Sequence, residues 1–245
     1  MKKKLFLMTI LAMALSLQGA SAQKNVRQFG VFDHVGIGVS AGTTGIGFQL
    51  AAPITDYLQL RAGYSYMPEY SYKTDIDYTN TKGGDGETEV EGTLHMADWN
   101  VLLDIYPFKK SGFHLTAGFF NGKERVITAE NTKPVTDVDG GLEIGDYIVG
   151  FDNKGIARAA IQVKKMKPYV GIGFGRAVPR KRLSFNFEMG AQLWGSPGVY
   201  AQATNGGWAK AKSNDVDHED DGAIDIISKI TVYPVITFRI NGRIF

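Results

Sequence analysis

The sequence predicts an all-β protein: an eight-stranded, antiparallel, up-and-down transmembrane β-barrel. Three observations carry that expectation. Eight stretches alternate apolar and polar residues with the period of two expected of a strand whose faces see different surroundings. The polar faces carry full charges, among them Arg61, Asp104, His114, Glu188, Arg239 and Arg243, while the apolar faces carry almost none. Glycine makes up 30 of 245 residues, against about 7 % in an average chain, and 14 Phe, 11 Tyr and 3 Trp accompany it.

The amino terminus reads MKKKLFLMTILAMALSLQGASA. Three lysines, an apolar run from Leu5 to Leu17 and the small residues Ala20-Ser21-Ala22 predict a secretory signal over 1–22, followed by a short periplasmic lead-in over 23–32. Losing Lys2, Lys3 and Lys4 turns a formal charge of +2 into −1. No basic cluster stands out on a helix or loop, so a nucleic-acid partner is not expected. The absence of cysteine leaves no disulfide framework and no thiol for lipid attachment. No later stretch approaches about 18 consecutive apolar residues, so a spanning helix is not expected either.

The strands follow in order over 33–245. Val35, Ile37 and Val39 oppose His34, Gly36, Gly38 and Ser40, and Ala41-Gly42-Thr43-Thr44 turns the chain into Ile46, Phe48 and Leu50. Pro53-Ile54-Thr55-Asp56 turns again into YLQLRAGYSYMPEYSY, a third strand running to about Tyr78. A glycine-rich loop near 79–89 precedes a fourth strand, with Trp99, Val101, Leu103 and Ile105 on one face and Asn100 and Asp104 on the other. After PFKKSG, Phe113, Leu115, Ala117 and Phe119 oppose His114, Thr116 and Gly118. A long polar region near 131–155 comes next, then Val170, Ile172 and Phe174 alternating with glycines. LSFNFEMGAQLW gives the seventh strand, a second long polar region spans 199–228, and YPVITFRINGRIF gives the eighth. Short connections at one end and longer ones at the other mark a spanning barrel with both termini on the short-turn, periplasmic side; the brief first outer turn is the exception.

The charged faces decide which side looks inward. Each unpaired buried charge costs several kcal/mol, so these faces make a poor soluble core, whereas a lipid-facing band has to be apolar. Arg61, Asp104, His114 and Glu188 lie at similar depth and are expected to form one ionic plug inside the barrel. Eight strands leave an interior that side chains fill, whereas an open porin takes about 16. Tyr64, Tyr66, Trp99 and Trp194 fall where strands leave the hydrocarbon and are expected to form the outer aromatic girdle.

The runs SAGTTGIGFQLAAPITDYLQLRAGYSYM, DWNVLLDIYPFKKSGFHLTAGFFNG, PYVGIGFG, LSFNFEMGAQLWGSPGV and YPVITFRINGRIF resemble a family of small Gram-negative outer-membrane β-barrel proteins, most of them without an assigned activity. LDIYPF, WGSPG and YPV are the most specific pieces. The resemblance implies fold and location and brings no catalytic residues. Strands of this kind usually end on a lipid-facing aromatic, yet here Ile244 keeps the register and Phe245 follows it. Either the chain runs one residue past its signal or a bulge near Asn241-Gly242 resets the face.

Other chemistry is thin. His114-Leu115-Thr116 has the His-x-Ser-like spacing of barrel lipid deacylases, but its register points it into the interior. Asp217, Glu219 and Asp221 open like a calcium loop, yet its twelfth position is Ser228, where a bidentate Glu belongs. The glycines of GIGFG alternate as strand residues do, with no helix signal after them. The expected role is therefore non-enzymatic: outer-membrane lipid around the barrel, no cofactor, and a structural or interaction role in the envelope through the outer loops, with a protein partner there. A narrow passage for small solutes or a ligand-binding barrel is the alternative, and a lipid-modifying barrel enzyme a more remote one.

Overall fold

A computed structural model describes residues 30–80, 85–136, 140–144, 147–202, 207–211 and 231–244. Fourteen strands and no helix occur among them. In chain order they are β1 (Gly36–Gly42), β2 (Gly45–Pro53), β3 (Leu58–Asn80), β4 (Asp85–Ile105), β5 (Phe113–Gly122), β6 (Arg125–Asn131), β7 (Gly140–Ile144), β8 (Tyr147–Gly150), β9 (Arg158–Gln162), β10 (Met166–Phe174), β11 (Leu183–Leu193), β12 (Gly198–Gln202), β13 (Trp208–Lys210) and β14 (Val232–Arg243).

Eight of these close a ring. β1 through β5 pair in sequence, β5 pairs with β10, β10 with β11, β11 with β14, and β14 returns to β1, every pairing antiparallel. These are the eight strands predicted from alternation. The first turn is tight because Gly45 adopts φ +86°, a conformation that costs a residue with a Cβ more than it costs glycine. β14 keeps one unbroken register against β1 from Thr237 to Arg243. No bulge therefore resets the face at Asn241-Gly242, and Ile244 stays exposed.

The remaining strands extend one end of the ring. β3 and β4 continue past a register shift between Met67 and Tyr70 and stay paired as far as Thr79 and Asp85. Residues 79–80 and 85–89 are thus strand rather than loop, and Ser71 bonds Thr93 at 2.9 Å while Lys73 bridges Glu89 at 3.0 Å between β3 and β4. β6, β9, β12 and β13 add successively to the β4 side, while β7 and β8 add to the β3 side. The polar regions near 131–155 and 199–228 therefore hold β7, β8, β12 and β13. What orders them is a separate core of Val90, Leu142, Val149, Ala157 and Ala159, whose members are too scattered in sequence to show a period.

Asp217, Glu219 and Asp221, the signal over 1–22 and Phe245 lie outside the described residues.

Candidate functional site

The ring buries its polar residues and exposes its apolar ones. Arg61, Asp104 and His114 have no exposed surface and Glu188 has 2 %, while Phe48, Phe185 and Phe238 are 50 %, 58 % and 60 % exposed. Alternation along each strand produces this directly: on β3, Gln59, Arg61 and Ser65 point inward, and Tyr64 and Tyr66 point outward.

The four predicted plug residues come together. The Arg61 guanidinium donates from Nε to Asp104 Oδ1 at 3.0 Å, from Nη1 to Gln49 Oε1 at 3.1 Å and from Nη2 to Glu188 Oε2 at 2.7 Å. Thr116 donates to Asp104 Oδ1 at 2.9 Å, and the Tyr169 hydroxyl donates to Glu188 Oε1 at 2.8 Å. His114 sets its Nδ1 against the Gly112 carbonyl at 3.0 Å and turns Nε2 toward Glu188 at 3.5 Å. Arg239, which alternation also places inward, reaches Glu188 at 3.4 Å. Two guanidiniums thus balance two carboxylates, which is what a water-poor interior demands of buried charge.

Asp104, His114 and Glu188 could present one metal-ligating atom each within 4.8 Å of one another. Arg61 already lies between both carboxylates, so the place a cation would take is filled by the chain's own charge. Glycines make the packing possible: a Cβ at Gly173 would stand 2.5 Å from His114 Nε2, and one at Gly171 would stand 2.6 Å from the Tyr169 hydroxyl.

Several interior residues escape a reading of strand pattern alone. Lys167 and Asp98 pair at 2.7 Å with side chains 0 % and 1 % exposed. The signal for Lys167 was available, because the alternation of β10 extends back through Tyr169 to it. Leu102, Phe120, Tyr169 and Val235 form an apolar layer inside the ring, and Met96, Val126, Val163 and Trp194 form another nearer the extension. Between the charges and the first layer, a space lined by Ser40, Gln49, Asn100, Thr237 and Arg239 offers ≈ 10 Å³, about enough for one water.

The girdle is corrected at one position. Tyr64, Tyr66 and Trp99 are 50 %, 45 % and 46 % exposed and face outward, but Trp194 is 3 % exposed. It lies just beyond the end of β11, where Gly195 at φ +80° turns the chain. Its ring stacks on Tyr233 at 4.6 Å and its Nε1 donates to Gln192 at 3.1 Å. His114 and Thr116 face the interior, as their register predicts, with Thr116 held by Asp104.

Outside the ring, titration follows local partners. The Lys73 ammonium holds the Glu89 carboxyl below its usual range, helped by Thr132, and is itself raised by Glu89. Backbone amides of Ile156 and Lys154 with the Arg158 guanidinium hold Asp152 down against the opposing effect of partial burial.

A closed ring of eight antiparallel strands with charge inside and apolar residues outside defines the class of fold. Solved structures with a similar fold include two from Acinetobacter baumannii. Acinetobacter baumannii CarO2 is 20 % identical with a TM-score of 0.51, over 87 % of this chain and 99 % of that one. Acinetobacter baumannii CarO is 18 % identical with a TM-score of 0.50, over 84 % and 96 %. No family model and no curated protein matches the chain.

Proposed function

We propose that the chain is an integral outer-membrane β-barrel, exported by the signal over 1–22, with a non-enzymatic structural or interaction role in the cell envelope. The observation that carries this reading is the inverted burial: the ring hides Arg61, Asp104, Glu188 and Arg239 while Phe48, Phe185, Phe238 and Ile172 stand in the open. In water that exposed surface would far exceed the apolar patches soluble monomers tolerate. In lipid it is the required exterior, and closing the ring pairs every strand edge within the bilayer.

The extension above the ring is the surface suited to a partner. Its own apolar core and continuous strand pairing make it a firm platform rather than a set of loose loops. The charged layer and the two apolar layers fill the interior, so they favour a closed barrel over a passage for solutes.

Fractionation of expressing cells tests the location, and gel mobility before and after boiling tests the barrel. Recovery in the outer membrane with a heat-dependent shift supports the proposal; a soluble protein without a shift ends it. Purification in mild detergent with mass spectrometry of co-purifying proteins then tests the interaction role, which a bare barrel would count against.

A further inference from the structure

The short-turn end of the ring concentrates positive charge. Contrary to the expectation that no loop carries a basic cluster, one turn carries Lys109 and Lys110, and the next carries Arg180, Lys181 and Arg182. Two further arginines tie these turns together. Arg176 donates to the carbonyls of Lys109 at 2.8 Å, Ser111 at 3.3 Å and Asp56 at 3.3 Å, and stacks on Tyr106 at 4.3 Å. Arg243 donates to the carbonyls of Pro179 at 3.3 Å and Arg180 at 2.9 Å. Against this group the described residues of the same rim offer two carboxylates, Asp33 and Asp56. Burial pushes Arg176 down to about 10, and the neighbouring Arg180 adds to the shift.

The far hairpin has the opposite balance, with Glu69, Asp75, Glu87, Glu89 and Glu91 against Lys73. The rest of the far end is mixed in sign, with Lys123, Arg125, Lys133, Arg158, Lys164 and Lys165 beside Glu124, Glu130 and Asp152, so an excess of one sign marks the short-turn rim. Apolar side chains alternate with the basic ones at the short-turn rim. Phe108 precedes Lys109 and is 63 % exposed, Leu183 follows Arg182 and is 64 % exposed, and Ile244 is 55 % exposed. Greasy anchors interleaved with exposed Lys and Arg, held at the edge of an apolar band, match a boundary between hydrocarbon and phosphate.

We infer that this rim is a seat for anionic phospholipids of the periplasmic leaflet, with Lys110 and Arg182 facing the phosphodiester and Phe108 and Leu183 resting in the acyl region. The inference rests on the membrane reading above and goes beyond it by naming the lipid class and the residues. Arg176 and Arg243 hold the turns through backbone carbonyls, so the exposed cations are presented on a fixed frame and little ordering is needed on binding.

The test is native mass spectrometry of the folded protein in mild detergent, titrated with phosphatidylglycerol or with phosphatidylcholine of the same acyl chains. Each basic residue near a membrane surface contributes about a fivefold preference for anionic lipid. The wild type should retain phosphatidylglycerol at least about 25-fold better than phosphatidylcholine, and K110Q/R182Q should lose about 25-fold of that preference. K110R/R182K should keep the preference, and K123Q/K165Q, at the opposite rim, should leave it unchanged. Equal retention of the two lipids by the wild type overturns the inference, as does equal loss in both glutamine pairs. A protein that shows no heat-dependent shift and enters vesicles of neither lipid would fail the membrane reading itself. One that enters both without preference fails only this inference.

Discussion

Arg61 and Glu188 stand 127 residues apart in the chain and meet at 2.7 Å inside the ring, both out of reach of solvent. Removing either leaves the other charge buried, a change that typically costs about 3–5 kcal/mol. Removing both leaves Asp104 and Arg239 within each other's electrostatic reach, again one charge against one. R61M and E188Q should therefore each destabilise strongly, and the double variant should lose less than their sum by at least about 1 kcal/mol. Urea unfolding of the four proteins in vesicles reads this, and strict additivity would show that the contact carries no coupling.

Gly173 is required by His114 rather than by its own backbone. A Cβ there stands 2.5 Å from His114 Nε2 and 2.9 Å from the Phe187 carbonyl, so one neighbour is a ring locked at its other end and the other is backbone. Gly173→Ala should cost about 1–3 kcal/mol as overpacking. Gly150→Ala, with nothing within 4 Å of the added carbon, is the matched control in the same urea experiment.

The ring was legible in the sequence because a closed sheet with unlike solvents on its two sides repeats one rule at every strand. Arg61, Asp104, His114 and Glu188 could be grouped from depth alone, since each sits a countable number of residues from a turn. Trp194 could not be placed that way. It follows the last alternating residue of β11, and past that point the turn at Gly195, not the pleat, aims the side chain. The extension was hidden for a related reason. Val90, Leu142, Val149, Ala157 and Ala159 gather from four strands and a connecting segment, and short strands among charged residues leave too few alternations to register. Lys167 and Asp98 lie at the outer ends of the alternating stretches of β10 and β4, where a charged residue suits a connecting loop as well as a strand interior.

The β3–β4 arm should respond to pH through Lys73 and Glu89. Glu89 is held below its ordinary value of 4.5, first by the hydrogen bond from Lys73. Its contribution is therefore present above about pH 4.5 and is lost as pH falls through the lowered folded value. Lys73 is raised above 10.5 by the same contact, so its contribution is present below that value and is lost as pH rises through the raised one. The pair is partly exposed, so the effect is small. Amide exchange at Ser71–Asp75, corrected for intrinsic rates, should quicken at low pH in the wild type. Glu89→Gln should be quicker at neutral pH and flatter with pH, and an unchanged profile would show the bridge contributes nothing.

Phe238 lies midway along β14 and is 60 % exposed. On a soluble protein, Phe238→Lys at so open a site would fall within about 0.5 kcal/mol of neutral. On a lipid-facing strand near the bilayer centre the same change costs about 2–4 kcal/mol. The size of the loss in vesicle-folded protein therefore reports which solvent Phe238 meets. Lys73→Phe, on the arm beyond the ring, provides the contrast and should change the unfolding midpoint little.

Trp99 and Trp194 separate the two meanings of an aromatic near a rim. Trp99 points outward at 46 % exposure and meets Phe119 edge to face at 5.5 Å, while Trp194 is enclosed and stacked on Tyr233. With Trp208 replaced by Phe and one of the other two retained, each can be followed alone by fluorescence. Brominated lipid should quench Trp99 strongly and Trp194 weakly, and aqueous acrylamide should hardly reach Trp194. Trp194→Ala should also destabilise by about 3–5 kcal/mol, the loss expected when a large packed aromatic is truncated. Trp99→Ala should cost clearly less, because lipid chains can close over the space it leaves. Strong quenching of Trp194 by brominated lipid would instead return it to the girdle and break the apolar layer that closes the outer half of the ring.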